Sequence, residues 1–279
     1  MEHFYLITNQ LKDEEYKVTN EIRDFIQENG KICTLAEVDS QGFILPNTIP
    51  KEIDCAIVLG GDGTLIRAAR ELLNHSIPLL GINLGTLGYL AEVELQDYKI
   101  ALKRLFQDEI LYEKRMMLHG EVKGNICSSN VAMNDIVITR EGLLRVIHFN
   151  IYVNDILLNS YRADGVIVST PTGTTGYNLS AGGPVVEPTA SMIVITPICS
   201  HALNTSSIVL SAEDMIEIEI LQGRYGKNEE AIVSFDGADI KRLQTGDRVV
   251  IKKAECVTRL VKLSKESFMK TMRKKMKGN

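Results

Sequence analysis

Short apolar runs alternate with helical segments along the first hundred residues. The apolar runs, which predict buried strands, lie at residues 4–7, 31–35, 55–59 and 78–82. Apolar side chains recur at helical spacing over residues 13–28, where Val18, Ile22 and Ile26 share one face, and again after residue 64. A further helix is predicted near residues 96–108. Strands that alternate with helices indicate a mostly parallel sheet covered on both faces.

The spacing of the hydrophobic residues changes near residue 115. Apolar and polar residues then alternate, and the predicted strands lie at residues 116–122, 147–153, 166–169, 192–196, 207–211, 215–221, 231–235 and 248–252. Long helical patterns are nearly absent, which is typical of a β-sandwich. We therefore predict a Rossmann-like α/β domain over residues 1–113, a β-sandwich domain over 114–255 and a C-terminal segment over 256–279.

The composition indicates a soluble globular protein, with 44% hydrophobic and 24% charged residues in a chain of 279. A net charge of −5 disfavours nucleic acid as a partner, because proteins that bind it normally present a basic face. We expect neither a signal peptide nor a membrane-spanning segment. The five cysteines are scattered and never spaced C-x-x-C, which suits reduced thiols in the cytoplasm and offers no zinc site.

A glycine turn follows the strand predicted at residues 55–59 and reads Gly60-Gly61-Asp62-Gly63-Thr64. Glycines let the backbone approach a ligand, and the N–H groups at the following helix start can bind phosphate oxygens. Thr64 is a candidate cap for that helix. Asp62 would repel a phosphate unless it meets a metal ion or accepts a proton from a substrate hydroxyl. Phosphoryl transfer to an alcohol is one interpretation, and a structural Gly-Asp-Gly turn is the other.

The second candidate site is a polar segment over residues 164–184, DGVIVSTPTGTTGYNLSAGGP. Six Ser or Thr hydroxyls occur from Ser169 to Ser180, more than a simple turn uses, and they suit a ligand rich in ribose and amide groups. Tyr177 is placed to stack on a flat base. A flexible loop is the alternative, but the density of Gly, Pro and Thr between apolar strands favours a binding loop.

Together these segments closely resemble the NAD kinase family, whose markers are a G-G-D-G-T turn and a long T-P-T-G-T-T-G-Y-x-x-S-A-G-G-P segment. The turn alone is only moderately specific, because lipid kinases share it, whereas the long segment is highly specific. Further matches extend over nearly the whole chain: N-x-G-x-L-G-[FY]-L at residues 83–90, the Asn-Asp pair at Asn134 and Asp135, and P-x-x-x-H at 197–201. Ala238 stands where the family often carries a glutamine.

The resemblance implies roles for the matching residues. Asp62 would accept the proton of the 2′-hydroxyl, with Gly63 beside it, and Asn134 and Asp135 would bind ribose hydroxyls. The adenosine end would be surrounded by Thr175, Gly176, Tyr177, Asn178, Leu179 and Ser180. Asp164 would face the nicotinamide end, and three arginines would engage phosphates: Arg67, Arg145 and Arg162. The alternative for each arginine is a solvated surface position, and this alternative is strongest for Arg67. His201 is either a functional or a structural residue.

The implied activity transfers a phosphoryl group from ATP or polyphosphate to the 2′-hydroxyl of the adenosine ribose of NAD, giving NADP. Magnesium would accompany the donor, held largely by phosphate oxygens, with no metal ligands assigned to the protein. The family also implies a homodimer or homotetramer and a C-terminal segment that returns to the first domain. Two alternatives stay open: a lipid kinase of the diacylglycerol or sphingosine type, and a non-catalytic NAD-binding sensor in which Asp62 would have no role.

Overall fold

The computed structural model describes residues 1–85, 88–125, 127–142, 145–200, 206–263 and 268–276. The chain divides into two compact units. Unit 1 comprises residues 1–114 and 258–279, and unit 2 comprises residues 115–257. No helix in the described part of the chain has both the length and the apolar character needed to cross a membrane.

The strands and helices are numbered here in chain order. The first group is β1 (His3–Thr8), α1 (Lys17–Glu28), β2 (Ile32–Leu35), β3 (Cys55–Gly60), α2 (Asp62–Glu71), β4 (Leu79–Asn83), β5 (Val93–Glu94) and α3 (Tyr98–Phe106). The second group is β6 (Leu111–Lys123), β7 (Ser128–Ala132), β8 (Asp135–Arg140), β9 (Ile147–Val153), β10 (Ile156–Ala163), β11 (Gly165–Ser169), α4 (Tyr177–Ser180), β12 (Met192–Ile198), β13 (Ile208–Ser211), β14 (Ile216–Ile220), β15 (Glu230–Phe235), β16 (Ala238–Gln244), β17 (Arg248–Lys262) and α5 (Phe268–Met276).

Unit 1 is built on a parallel sheet in the order β2-β1-β3-β4. All six residues of β3 are buried, as expected for an inner strand covered on both faces. Phe4 of β1, Ile22 and Ile26 of α1, and Leu102 and Leu105 of α3 belong to one buried apolar cluster. The α/β class predicted for the N-terminal half is thus confirmed.

Helix α1 begins four residues later than its apolar periodicity predicts. Glu15 and Tyr16 have φ angles of 54° and 55°, so neither can belong to a right-handed helix. The carboxylate of Asp13 instead accepts hydrogen bonds from the N–H groups of Val18 and Thr19, at 2.9 and 2.8 Å. The helix start at Lys17 is therefore fixed by a buried acid outside the helix.

Unit 2 is a β-sandwich, which confirms the fold class predicted for this part of the chain. One antiparallel sheet has the order β13-β12-β11-β8-β15-β16, and a second contains β10-β9-β14-β17. Ile136 and Val166 of the first sheet share a buried cluster with Phe149, Ile218 and Val249 of the second. Alternate residues of each strand therefore form the core between two packed sheets.

Several strands were not predicted from the pattern. Strand β10 begins with the exposed residues Ile156, Leu157 and Leu158, so it lacks the alternation of a half-buried strand. β8 and β16 were also missed, and β17 extends to Lys262, ten residues beyond the predicted end at 252. Its last residues belong to unit 1, where Leu260 pairs in parallel with Leu79 of β4.

Candidate functional site

Asp62 is the first residue of α2, and Gly61 alone separates it from the end of β3. Its carboxylate accepts hydrogen bonds from the backbone N–H groups of Tyr89 (2.7 Å) and Leu90 (3.1 Å). A Cβ on Gly88 would overlap this carboxylate, so glycine is required there for the close approach. The segment at residues 88–90 thus orients the Asp62 carboxylate.

Thr64 does not cap α2, so that prediction is wrong. Gly61 occupies the cap position, and no side chain caps the helix there. The hydroxyl of Thr64 is buried and instead accepts a hydrogen bond from the side-chain amide of Asn9, at 3.1 Å. The N–H groups at the helix start are therefore left without a side-chain acceptor from the cap residue, which suits an anionic ligand.

Lys12 is a candidate phosphate-binding residue that the sequence analysis missed. Its ammonium lies 3.2 Å from the position that a Cβ on Gly61 would occupy, and 3.9 Å from the corresponding position on Gly85. No motif marks this exposed lysine. Its position follows from the strand order, because β1 and β3 are adjacent parallel strands and the loops after them emerge at one edge of the sheet.

Arg67 packs against the loop over residues 39–44. Its guanidinium lies 5.9 Å from the centre of the Phe43 ring and 3.9 Å from Glu71. Glu71 in turn accepts the N–H of Ile44 at 3.0 Å, and burial raises the pKa of its carboxyl. These contacts give Arg67 a role in holding the loop, beside the phosphate contact predicted for it.

Asn134 and Asp135 lie at the start of β8, where a dense hydrogen-bond network surrounds them. The carbonyl of Asn134 accepts the N–H of Thr170 at 2.8 Å, and a Cβ on Gly173 would overlap this carbonyl. The side-chain Oδ1 of Asn134 is buried and makes no hydrogen bond to the described residues. The pKa of Asp135 is raised to about 7, first by burial and second by the nearby charge of Asp236.

The polar segment after β11 is an ordered loop whose hydroxyls mainly serve the loop itself. Thr170 donates to the carbonyl of Met133 at 2.7 Å, and Thr174 donates to the carbonyl of Pro171 at 2.6 Å. Thr175 is also used, donating to the carbonyl of Thr172 at 3.2 Å. The prediction that the six hydroxyls suit a ribose-rich ligand therefore needs correction, because at least three of them stabilise the loop.

Residues 175–180 present two faces. Asn178 is fully buried, where its amide donates to the carbonyls of Thr174 and Pro184 and accepts from the hydroxyl of Thr196. Tyr177, by contrast, is 47% exposed, and Leu179 and Ser180 are exposed as well. Asn178 thus fixes the loop from inside, while the Tyr177 ring is available to a ligand.

Asp164 lies at the far end of β11 from Asp135. Its carboxylate accepts a hydrogen bond from Nε of Arg140 at 3.0 Å, an ion pair that the sequence analysis missed. In the pairing of β11 with β8, Ser169 is opposite Asp135 and Gly165 is opposite Thr139. At about 3.3 Å per residue, Asp164 and Asp135 are separated by roughly 16 Å along the strand.

Arg145 and Arg162 lie at the same end of unit 2 as Asp164. Ala163 pairs with Ile147, so both arginines are within two residues of this pair and both are exposed. The register thus brings two of the three predicted arginines to one end of β9 and β10. His201 is outside the described residues. Within the ranges that are described, no group of three or more His, Cys, Asp or Glu side chains is arranged to hold a metal ion.

Comparison with known proteins shows the family of this chain. The family model for the ATP-NAD kinase N-terminal domain matches residues 43–110, and that for the C-terminal domain matches residues 133–263. The NAD kinase of Lachnoclostridium phytofermentans is 46% identical over 99% of both chains. The NAD kinase of Agathobacter rectalis is 47% identical over 100% of this chain and 99% of its own.

Two solved structures share the fold. Yeast NADH kinase, solved in complex with NADH, has a TM-score of 0.86 at 23% identity and covers 100% of this chain and 88% of its own. An NAD kinase from Archaeoglobus fulgidus, solved in complex with ATP, has a TM-score of 0.78 at 24% identity and covers 99% and 98%. With both family models matched and relatives near half identity along its length, this chain belongs to the NAD kinase family.

Proposed function

We propose that this protein transfers the terminal phosphoryl group of ATP to the 2′-hydroxyl of the adenosine ribose of NAD, giving NADP. The observation that carries the proposal is the Asp62 carboxylate, held at the start of α2 by the N–H groups of Tyr89 and Leu90. A sugar hydroxyl is a poor nucleophile at neutral pH and becomes reactive when a carboxylate accepts its proton. Asp62 is the base in this proposal, with Gly63 beside it.

The dinucleotide would be held by residues of unit 2. Asn134 offers a buried amide oxygen with no protein donor among the described residues, which suits a ribose hydroxyl. Tyr177 would stack on the adenine, and Asp164, held by Arg140, would contact the nicotinamide end. The roughly 16 Å between Asp135 and Asp164 along β11 suits an extended ligand with recognition groups at both ends. Arg145 and Arg162, which are exposed at this end, would bind phosphates.

The donor side is assigned to unit 1. Lys12 and the N–H groups at the start of α2 supply positive charge around the glycine turn, which supports binding of a triphosphate. ATP is our proposed donor, supported by the related A. fulgidus NAD kinase solved with ATP. Magnesium would be bound mainly by the donor's own phosphate oxygens and would neutralise their charge. Inorganic polyphosphate is the second donor to be tested.

The test is NADP formation by purified protein given NAD, magnesium and one donor at a time. ATP, GTP and polyphosphate form the donor panel, and diacylglycerol and sphingosine replace NAD as acceptors in parallel reactions. We expect NADP with ATP and no phosphorylated lipid. Phosphorylation of a lipid without turnover of NAD would overturn the proposal, and NAD binding without any turnover would favour a sensor.

We also propose that the protein is a cytoplasmic homodimer or homotetramer. All five cysteines are free thiols, which suits a reducing compartment. The edge strand β10 exposes three consecutive apolar residues, Ile156 (73% exposed), Leu157 and Leu158, and an exposed apolar edge favours association. Light scattering after gel filtration would give the mass of the assembly. A monomer at all concentrations, unchanged by Leu157→Ser, would contradict the oligomer.

A further inference from the structure

Asp236 lies in the tight turn between β15 and β16, and its carboxylate binds three consecutive backbone groups. Oδ2 accepts the N–H of Met133 at 2.8 Å, and Oδ1 accepts those of Asn134 and Asp135 at 2.7 and 3.1 Å. The backbone N–H of Asp236 also donates to the carbonyl of Asp135 at 3.0 Å. One acid from a distant part of the chain therefore fixes the turn that leads into β8.

The same turn is held from its other side by the polar loop. Thr170 donates its hydroxyl to the carbonyl of Met133 at 2.7 Å and its N–H to the carbonyl of Asn134 at 2.8 Å. The backbone of residues 133–135 is thus bound both to Asp236 and to Thr170. These bonds use only backbone groups of residues 133–135, so they fix the backbone without engaging the side chains of Asn134 and Asp135.

Asp135 and Asp236 form a pair of neighbouring carboxyls. Asp135 is 5% exposed, and burial raises its pKa to about 7, with the charge of Asp236 as the second cause. The neighbouring strands bring Ser169 of β11 and Phe235 of β15 beside β8, and neither is charged. Among the described residues, Asp236 is the charged group that acts on Asp135.

We propose that Asp236 is a positioning residue for NAD: it orients Asn134 and Asp135 toward the ribose hydroxyls and makes Asp135 release a proton when the dinucleotide binds. The inference rests on the proposed function. A ribose hydroxyl donates to an ionised carboxylate, so binding favours the charged form of Asp135, and its proton passes to solvent. Affinity for NAD therefore rises as the pH increases through neutrality.

The variant that tests this is Asp236→Asn. Asparagine tolerates the left-handed backbone of this position, where φ is 52°, but it supplies one acceptor oxygen and no charge. Calorimetry from pH 5.5 to 9 should show NAD binding weakened about ten- to a hundredfold at high pH, as expected for a lost charge-assisted hydrogen bond. The midpoint of the pH dependence should move to lower pH, because the like charge is gone.

Asp239→Asn is the matched control. Asp239 lies three residues further along the same hairpin, where it accepts from Asn130 and pairs with Lys241, away from residues 133–135. The Asp239→Asn substitution removes the same charge, and this variant should keep the parental midpoint of the pH dependence. If Asp236→Asn also keeps the parental midpoint and affinity, the inference is overturned. Should Asp236→Asn fail to fold, Asp135→Asn decides, because it must abolish the pH dependence of binding.

Carboxyl carbon NMR separates this inference from the proposed function. In protein labelled at aspartate, the resonance assigned through its loss in Asp135→Asn should titrate near neutrality without NAD, and Asp236→Asn should lower that midpoint. A parent that does not bind NAD would refute the proposed function and the role of Asp236 in NAD binding, but it would leave the coupling of Asp135 and Asp236 standing. An Asp135 that titrates at an ordinary aspartate pKa, or is unaffected by Asp236→Asn, would refute the coupling whatever the ligand.

Discussion

The carboxylate of Asp62 accepts the backbone N–H of Tyr89 at 2.7 Å, while its second oxygen accepts the N–H of Leu90. Each oxygen of an ionised carboxylate has two acceptor positions, so both retain capacity for a further donor. The two hydrogen bonds thereby orient the carboxylate of Asp62 and leave acceptor positions on both oxygens for a further donor. A group held in this way can receive a proton from a hydroxyl brought to it, which a freely rotating side chain would do less efficiently.

Replacing Asp62 with asparagine should separate catalysis from binding. Asparagine keeps the size of the side chain but cannot accept the proton, so turnover should fall by about 10²–10⁴-fold. The dissociation constant for NAD should change little, because the lost interaction acts mainly in the transition state. Rapid-quench turnover and calorimetry measure the two quantities, with Asp24→Asn on the exposed face of α1 as the control. Near-parental turnover in a folded Asp62→Asn protein would remove the base assignment.

Lys12→Gln should weaken binding of the phosphoryl donor and leave NAD binding unchanged. The Lys12 ammonium lies over the glycine turn, near Gly61 and Gly85, where the phosphates of the donor are proposed to bind. Loss of one charged contact should raise the KM for ATP about tenfold, and the effect should shrink as salt screens the charge. Steady-state kinetics at two ionic strengths measures this. Lys17→Gln is the control, since Lys17 is exposed at the start of α1. Equal KM values in both variants would argue against the contact.

Tyr177→Ala should weaken NAD binding by about 1–3 kcal/mol, the usual value of a base stacked on an aromatic ring. The ring is 47% exposed, so its removal should leave the melting temperature close to that of the parent. Tyr177→Phe retains the stacking surface and should bind NAD like the parent. Calorimetry on the three proteins gives the comparison. If alanine and phenylalanine variants bind equally well, the ring does not stack on the base.

The fold class and the two motif segments could be predicted because they depend on local signals. The apolar runs of β1, β3 and β4 and the glycine turn at the start of α2 are each contiguous in sequence, so local patterns indicate them. The resemblance of residues 170–184 to the NAD kinase family indicated NAD as the expected ligand. None of these inferences required knowledge of which distant residues meet.

Most of the missed features of the site depend on long-range contacts. Arg140 pairs with Asp164 across 24 residues, and Asp236 reaches Met133 across 103. Lys12 lies beside the glycine turn only because β1 and β3 are neighbours in the sheet. The role of Thr174 was misjudged for a local reason, since its hydroxyl donates to the carbonyl of Pro171 only three residues away. The hydroxyl of Thr170, by contrast, donates to the carbonyl of Met133 across 37 residues. Periodicity and motif spacing carry no information about such partners.

The buried pair of Asp135 and Asp236 should make stability depend on pH. Burial raises the pKa of Asp135 to about 7 in the folded protein, whereas in the unfolded chain Asp135 has an ordinary aspartate pKa. Folding therefore favours the protonated form of Asp135. Its contribution to stability is therefore complete at acidic pH and is lost as the pH rises from about 4 to about 7, by about 1.4 kcal/mol for each unit between the two pKa values. Asparagine does not titrate, so Asp135→Asn should gain stability relative to the parent as the pH rises, and the gain should level off above about pH 8. Thermal melts of both proteins from pH 4.5 to 9 measure the difference, with Asp239→Asn showing no such trend. Melting curves that stay a constant distance apart at every pH would mean that Asp135 is ionised in the folded protein throughout.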